Sequence, residues 1–297
     1  MKINEVFKNI LDFIRIKQWY KNIIIFIPLV FSFEFFVMDK LVITIIGFIA
    51  ISFVSSACYV RNDIEDIEQD KLHPTKKFRA LASGLLKKRQ AWVIFISLIV
   101  FGFGIGFLLD YVFLILLLIL FLNTEIYSRW IKKIIFVDVF VIGINFIIRA
   151  LAGIILLQTS LSPWIILGVF FVALFLAFLK RKSELISLED VAQRHRESLK
   201  EYSEYSLNVG VLISGIMIIT TYSLYAINGP NNDWRLIITV PFIIFIILRQ
   251  IHISNVKNKT NSSNEIIRDK QSLCTLLIYG VITFVLIYLG PTKLFNL

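Results

Sequence analysis

The adjacent pair Asn62/Asp63, then Asp66 and Asp70 are separated by three or four positions in the stretch that begins at Tyr59, and Lys76, Lys77 and Arg79 follow within ten residues of Asp70. On a helix this spacing stacks the oxygens along one face, with Tyr59 one turn earlier on the same side. Carboxylates so placed repel one another unless a cation lies between them. A set of carboxylates and an amide suits a hard ion such as Mg²⁺, whose shell is normally completed by substrate phosphates. Carboxylates for the ion and bases for the remaining phosphate oxygens are what a metal–diphosphate complex requires. The alternative is a helix start capped by Asn62, with acids in its first turns and Glu65 and Glu68 as solvated surface. That alternative fits a soluble chain better than one with these neighbours.

Further polar residues punctuate apolar sequence. Lys17, Trp19 and Lys21 precede the first apolar span, where they suit a headgroup anchor or a contact with lipid phosphate. Tyr127, Arg129, Lys132 and Lys133 follow the fourth, and Lys180, Arg181, Lys182 and Glu184 the sixth. Asp138 and Arg149 are eleven residues apart, three helical turns, and so share a face. Charges this deep should face the bundle interior, and a polar cavity is the expectation; an internal ion pair bridged by other residues is the alternative. Gly102, Gly104 and Gly106 lie inside an apolar span, where they are expected to allow close helix packing rather than to cradle phosphate.

These residues must be positioned by membrane helices. The 297 residues are 57% hydrophobic and 18% charged, with a mean hydropathy of +0.78. Nine windows long enough to cross a hydrocarbon core fall near 20–38, 41–60, 90–109, 111–128, 134–157, 163–180, 206–228, 234–251 and 272–290, the third and fourth dividing at Asp110. The fold class expected is therefore an all-α integral membrane bundle, a single transmembrane domain over 1–297, with a cytoplasm-facing cavity and active-site loops at 61–89 and 128–138. Residues 1–18 alternate charged and apolar positions, as a helix on the membrane surface would, and show no signal-peptide pattern. The connection containing Arg194, Arg196, Lys200 and Tyr202 is expected to form another surface helix.

All but Lys40, Arg149, Arg235 and Lys293 of the 31 Lys and Arg residues fall in the N-terminal segment and the connections after even-numbered spans. That bias predicts a cytoplasmic N-terminus and an outside C-terminus. The formal charge of +10 then becomes a one-sided field suited to anionic lipid or phosphate. Nothing in the sequence has the signature of a nucleic-acid-binding fold. Cys58 and Cys274 lack metal-ligand spacing and read as small apolar residues. A homo-oligomer is compatible with the sequence and not required by it.

The full set of motifs resembles a known family. Asn62-Asp63-x-x-Asp66-x-x-x-Asp70 after the second of nine spans looks like the UbiA-type intramembrane prenyltransferase superfamily. The rest resembles its decaprenyl-phosphate phosphoribosyltransferase branch, from about residue 12 to 205. It comprises Gln18-Trp19-x-Lys21-Asn22, His73-Pro-Thr-Lys-Lys-Phe-Arg79, Tyr127-Ser-x-x-x-Lys132 with Asp138, Arg149-Ala-x-Ala-Gly153 and Lys180-Arg181-x-x-Glu184. The resemblance implies that a polyprenyl phosphate attacks C1 of 5-phosphoribosyl 1-diphosphate while Mg²⁺-bound diphosphate departs. It implies that Asn62, Asp63, Asp66 and Asp70 serve the metal and that Lys17, Tyr59, Lys76, Arg79, Lys132 and Arg149 serve the donor. Lys21, Lys133 and Arg181 would meet the lipid phosphate. Two departures are visible: Ile16 and Ala80 stand where the pattern has proline, which loosens loop rigidity more than it alters chemistry.

The nearest rival is a superfamily member that moves a prenyl group from its diphosphate to an aromatic acceptor. It would have a second acidic motif after the fourth span, where this chain has bases and only Asp138. A cation-coupled transporter is a more distant rival, since it would place its ionisable groups near the bilayer midplane.

Overall fold

The computed structural model describes residues 9–72, 76–160, 162–187, 197–228, 234–256 and 269–289. Among these, every regular element is helical. Eight helical segments are long and apolar enough to cross a membrane: α1 (Met38–Glu65), α2 (Lys88–Leu109), α3 (Tyr111–Arg129), α4 (Val137–Leu157), α5 (Pro163–Ser187), α6 (Glu204–Asn228), α7 (Val240–Val256, entered through the 3₁₀ turn Trp234–Thr239) and α8 (Lys270–Leu289). Beyond its first turn the exposed side chains of α2 are apolar apart from Ser97, among them Val93, Ile96, Val100, Phe107 and Leu108, as a lipid-facing surface requires.

The first expected span takes a different form. It is a 3₁₀ helix, Ile16–Phe26, continued by one short α-helix, Ile27–Phe31, with proline in the opening turn. At about 2.0 Å per residue in the first part and about 1.5 Å in the second, this lead-in is on the order of 30 Å long, the thickness of a hydrocarbon core. The division at Asp110 is as expected: α2 ends at Leu109, and Asp110 Oδ1 accepts the Phe113 N–H at 2.8 Å, capping α3. The break expected at His73-Pro74 lies outside the described residues.

The helices gather into two compact units. The first comprises Met1–Ser128 and Ile148–Thr159, the second Arg129–Ile147 and Ser160–Leu297, so α4 contributes to both. In the first unit α1 packs on α2 and on the lead-in. A Cβ at Gly102 would lie 2.8 Å from Val54 Cγ2 and 3.3 Å from the Ala50 carbonyl oxygen, which is why this glycine lets α2 approach α1 so closely. Gly104 meets nothing within 4 Å, so the close approach does not depend on every glycine of the triplet. Residues 9–13 are helical, and Phe13 is buried with Ala57, Val60, Ile64, Leu81, Ala91 and Leu98. The described end of the N-terminal segment thus docks on protein. In the second unit α5 and α6 pack along their length, with α7 and α8 beside them, around Leu174, Phe175, Phe178, Leu207 and Val211. Of the expected surface helix, Arg194 and Arg196 lie outside the described residues; Glu197–Lys200 is a short 3₁₀ turn, followed by a buried Tyr202.

Gly153 tests the packing of the lead-in. A Cβ there would collide with the Ile25 carbonyl oxygen and touch the Pro28 ring, neither of which can rotate away. Gly153→Val should therefore lose about 2–3 kcal/mol of stability, read as a lower melting temperature in detergent, whereas Gly104→Ala should change it by less than about 0.5 kcal/mol. An unaltered melt for Gly153→Val would mean that the lead-in is not held against α4.

Candidate active site

The polar residues of the first unit are held along one stripe of α1. Ser52, Ser56, Tyr59 and Asp63 recur at intervals of four, three and four, the repeat of one helix face. Trp19 donates its indole N–H to Ser56 Oγ at 2.9 Å, and Asn22 Nδ2 donates to Ser52 Oγ at 3.0 Å. The two donors are three residues apart on the 3₁₀ lead-in, and their acceptors four apart on an α-helix. Both intervals amount to about 6 Å of rise. The 3₁₀ winding thus puts both side chains in register with α1. Asn22 is 1% exposed, and its Oδ1 accepts the Nε–H of Arg149 at 2.7 Å. The Gln18-Trp19-x-Lys21-Asn22 motif is therefore a fastening as well as a source of bases.

At the end of the stripe lie two buried acids, Asp63 (4% exposed) and Asp70 (3%). One guanidinium nitrogen of Arg79 bonds both, at 3.1 Å to Asp63 and 2.7 Å to Asp70. Arg15 pairs with Asp63 at 2.5 Å and lies 4.7 Å from the centre of the Tyr59 ring. Seven residues on a straight helix would separate the acids by about 10 Å. Here α1 stops at Glu65 and a second helix, Ile67–Leu72, begins, so the chain bends at Asp66 and one cation can reach both carboxylates. Arg15 has φ 55°, in the left-handed region, where the chain turns into the lead-in.

The four expected oxygens are thus not equivalent. Asp63 and Asp70 are taken up by arginines. Asn62, next to Asp63 on α1, donates its Nδ2 to Ser128 Oγ at 3.1 Å, which leaves the amide oxygen available as an acceptor. Asp66 is half-buried and has no ion-pair partner among the described residues. No group of three or more His, Cys, Asp or Glu side chains among the described residues converges in a way that could hold a metal. What remains is one amide and one carboxylate oxygen a single turn apart. Such a pair fits Mg²⁺, which dehydrates reluctantly and usually binds through one or two carboxylates together with water and substrate phosphates.

Lys76 is half-buried at the start of the turn that leads to Arg79, and Tyr127 is half-buried near the end of α3. Lys21 lies 5.8 Å from the Tyr20 ring centre. Lys17 is exposed and pairs with Asp12 at 3.1 Å. Arg61 links α1 to α3 by its ion pair with Glu125 and pairs with Glu65 one turn along α1.

Asp138 and Arg149 share α4, yet each has found partners elsewhere. Asp138, fully buried, accepts from Arg181 Nε at 2.8 Å and from the Tyr202 hydroxyl at 2.8 Å. Arg181 is 1% exposed and also pairs with Glu184 at 2.8 Å. Neither Asp138 nor Arg181 therefore stands at an open surface as the sequence suggested: buried charges so close together satisfy each other first. Lys132, half-buried, and Lys133, exposed, occupy the 3₁₀ turn Ile131–Lys133 in the second unit. Arg15, Ser128 and Tyr202 carry weight that sequence reasoning did not assign. For Arg15, the regular spacing of Ser52, Ser56, Tyr59 and Asp63 was the available signal, because it marks a polar face that needs a partner.

Helices long and apolar enough to cross a membrane, with a cluster of acids and bases at the end of α1, define an integral membrane protein. Residues 25–267 match the UbiA prenyltransferase family, and the chain belongs to that family. It is 30% identical over 243 residues to a decaprenyl-phosphate phosphoribosyltransferase of Corynebacterium glutamicum, covering 79% of this chain and 73% of that one. It is 29% identical over 241 residues to the protein of the same name in Mycobacterium tuberculosis, covering 79% and 80%. The fold matches that of a UbiA homolog from Archaeoglobus fulgidus bound to DMAPP and Mg²⁺, with a TM-score of 0.69 at 15% identity over 94% of this chain and 97% of that one. It also matches a digeranylgeranylglyceryl phosphate synthase, with a TM-score of 0.65 at 20% identity over 97% and 99%.

Arg79 is the shared counter-ion of two buried acids, so removing it should cost more than a surface pair would. Arg79→Ala should lower stability by about 3 kcal/mol. Adding Asp70→Asn to that variant should recover part of the loss by removing an uncompensated charge. Thermal melts of the single and double variants in detergent test this, and equal melting temperatures for wild type and Arg79→Ala would exclude the shared-bridge role.

Proposed function

We propose that this protein transfers the 5-phosphoribosyl group from 5-phosphoribosyl 1-diphosphate to a polyprenyl phosphate at the cytoplasmic membrane face, with Mg²⁺ as cofactor. The observation that supports this most is the 30% identity to a protein named for that activity, over 79% of the chain. The site's chemistry agrees. With Asp63 and Asp70 neutralised by Arg15 and Arg79, the two acids act as a frame for cations, while Asn62 and Asp66 are the residues that would hold Mg²⁺. The metal, when bound, neutralises charge on the departing diphosphate.

The remaining work falls to side chains. Lys76, Arg149 and Tyr59 grip the donor's phosphates and ribose, Lys17 and Lys21 meet phosphate at the lead-in, and Lys132 and Lys133 provide a further phosphate-binding turn. Arg181 is left out of this set because its guanidinium is buried against Asp138 and Glu184. A lipid phosphate oxygen forms a bond to C1 as the C1–oxygen bond to diphosphate breaks, through a loose, oxocarbenium-like arrangement. The nucleophile is already an anion at neutral pH, so no general base is required.

One observation favours a second reading, prenyl transfer to an aromatic acceptor: the Archaeoglobus homolog of the same fold binds a prenyl diphosphate. Purified protein with Mg²⁺ can be offered labelled 5-phosphoribosyl 1-diphosphate and polyprenyl phosphate, and separately polyprenyl diphosphate and 4-hydroxybenzoate. Label entering the lipid phase in the first reaction, and lost with EDTA, is the expected result; product only in the second would select the aromatic reading. Asp66→Ala should reduce Mg²⁺-dependent turnover at least about 100-fold with an unchanged melting temperature, and full activity in that variant would remove the metal assignment.

A further inference from the structure

The second unit contains a strained turn with a buried latch. Phe136 has φ 62°, a left-handed conformation that a bulky side chain adopts at a cost. Its N–H donates to the Tyr202 hydroxyl at 2.8 Å, and the same hydroxyl donates to Asp138 Oδ1 at 2.8 Å. The Tyr202 ring stands edge-on to that of Phe136, with centroids 5.3 Å apart. At the other end of the turn, the buried Ser198 Oγ donates to the Lys132 carbonyl oxygen at 3.0 Å. Asp138 is in turn anchored by Arg181, 2.8 Å away. Two residues of the connection after α5 therefore hold both ends of the segment 132–136, on which Lys132 and Lys133 lie.

The geometry points to Tyr202, assisted by Ser198, as a positioning residue that sets the Lys132-Lys133 turn in the conformation that binds the donor's phosphate. This rests on the substrate reading above. The Tyr202 phenol is fitted to hold two groups at once. Burial and the adjacent Asp138 carboxylate push its pKa well above the usual range, so the hydroxyl keeps its proton and can accept from one group while donating to the other. Strain at Phe136 persists only where its surroundings over-determine it, and the hydroxyl is the group that does so. Without it, the turn can relax out of the left-handed region and carry both lysines with it.

The test is Tyr202→Phe, which keeps the ring, together with Ser198→Ala. Hydrogen–deuterium exchange across residues 131–136 is followed with and without inorganic diphosphate and Mg²⁺, alongside donor kinetics. The expected result is diphosphate protection of the turn in the wild type, faster exchange and lost protection in Tyr202→Phe, and a donor KM raised about ten-fold with kcat within about two-fold. Ser198→Ala should show a smaller shift in the same direction. An unchanged turn or donor KM in Tyr202→Phe, no diphosphate protection in the wild type, or a loss of kcat and melting temperature with KM constant would each overturn the proposal. If the wild type transfers no phosphoribosyl while the exchange results hold, the substrate reading fails and the latch remains. If transfer is normal and the turn is unaltered, the latch fails and the substrate reading remains.

Discussion

A carboxylate inside an apolar bundle keeps its charge only with a cation at hydrogen-bonding distance, because the desolvation penalty otherwise exceeds what the fold can offset. Asp63, Asp70 and Asp138 all meet this condition through arginine: Arg15 and Arg79 for the first two, Arg181 for the third. The choice of arginine has a geometric reason. Its several N–H groups bond two acceptors at once: Arg181 uses two nitrogens of its planar fork, one for Asp138 and one for Glu184, and a single nitrogen of Arg79 reaches both Asp63 and Asp70. Each pairing also carries a stretch of chain to its place. Arg79 ties the turn after residue 76 to the end of α1, Arg15 ties the start of the lead-in, and Arg181 ties α5 to the first turn of α4.

The lead-in shows how local winding serves the same end. A 3₁₀ helix is less favourable than an α-helix over eleven residues. It is retained here where three residues of lead-in must match four of α1, so that Trp19 and Asn22 both reach serines. Asn22 then presents its oxygen to Arg149, and a guanidinium deep in α4 is oriented by an amide that is itself fixed by a hydrogen bond. An amide oxygen satisfies a guanidinium N–H without contributing a negative charge of its own, which suits the anion-binding role proposed for Arg149.

The acidic motif falls into two pairs with different surroundings. Asp63 and Asp70, brought together by the bend at Asp66, are buried and compensated by arginine; Asn62 and Asp66 keep oxygens that are not engaged in ion pairs with described residues. A continuous helix would have spread the four groups over a little more than two turns and left Asp63 and Asp70 too far apart for one cation. In the second unit the contrast recurs, with Asp138 and Arg181 sequestered and Lys132 and Lys133 on the turn they support.

Hydropathy and length were enough to determine an all-helical membrane chain and the division at Asp110, because a bilayer demands apolar runs of one length whatever their neighbours. The spacing of Asn62, Asp63, Asp66 and Asp70 marked the acidic end of α1, since residue type and helical period are local properties. The partners were beyond its reach. That Arg79 bridges Asp63 and Asp70, that Arg181 rather than Arg149 neutralises Asp138, and that Tyr202 holds Phe136 all depend on which side chains meet across 9 to 66 positions. Helix period places residues on a face, but which face meets which neighbour is decided by packing, and only the tertiary structure determines that.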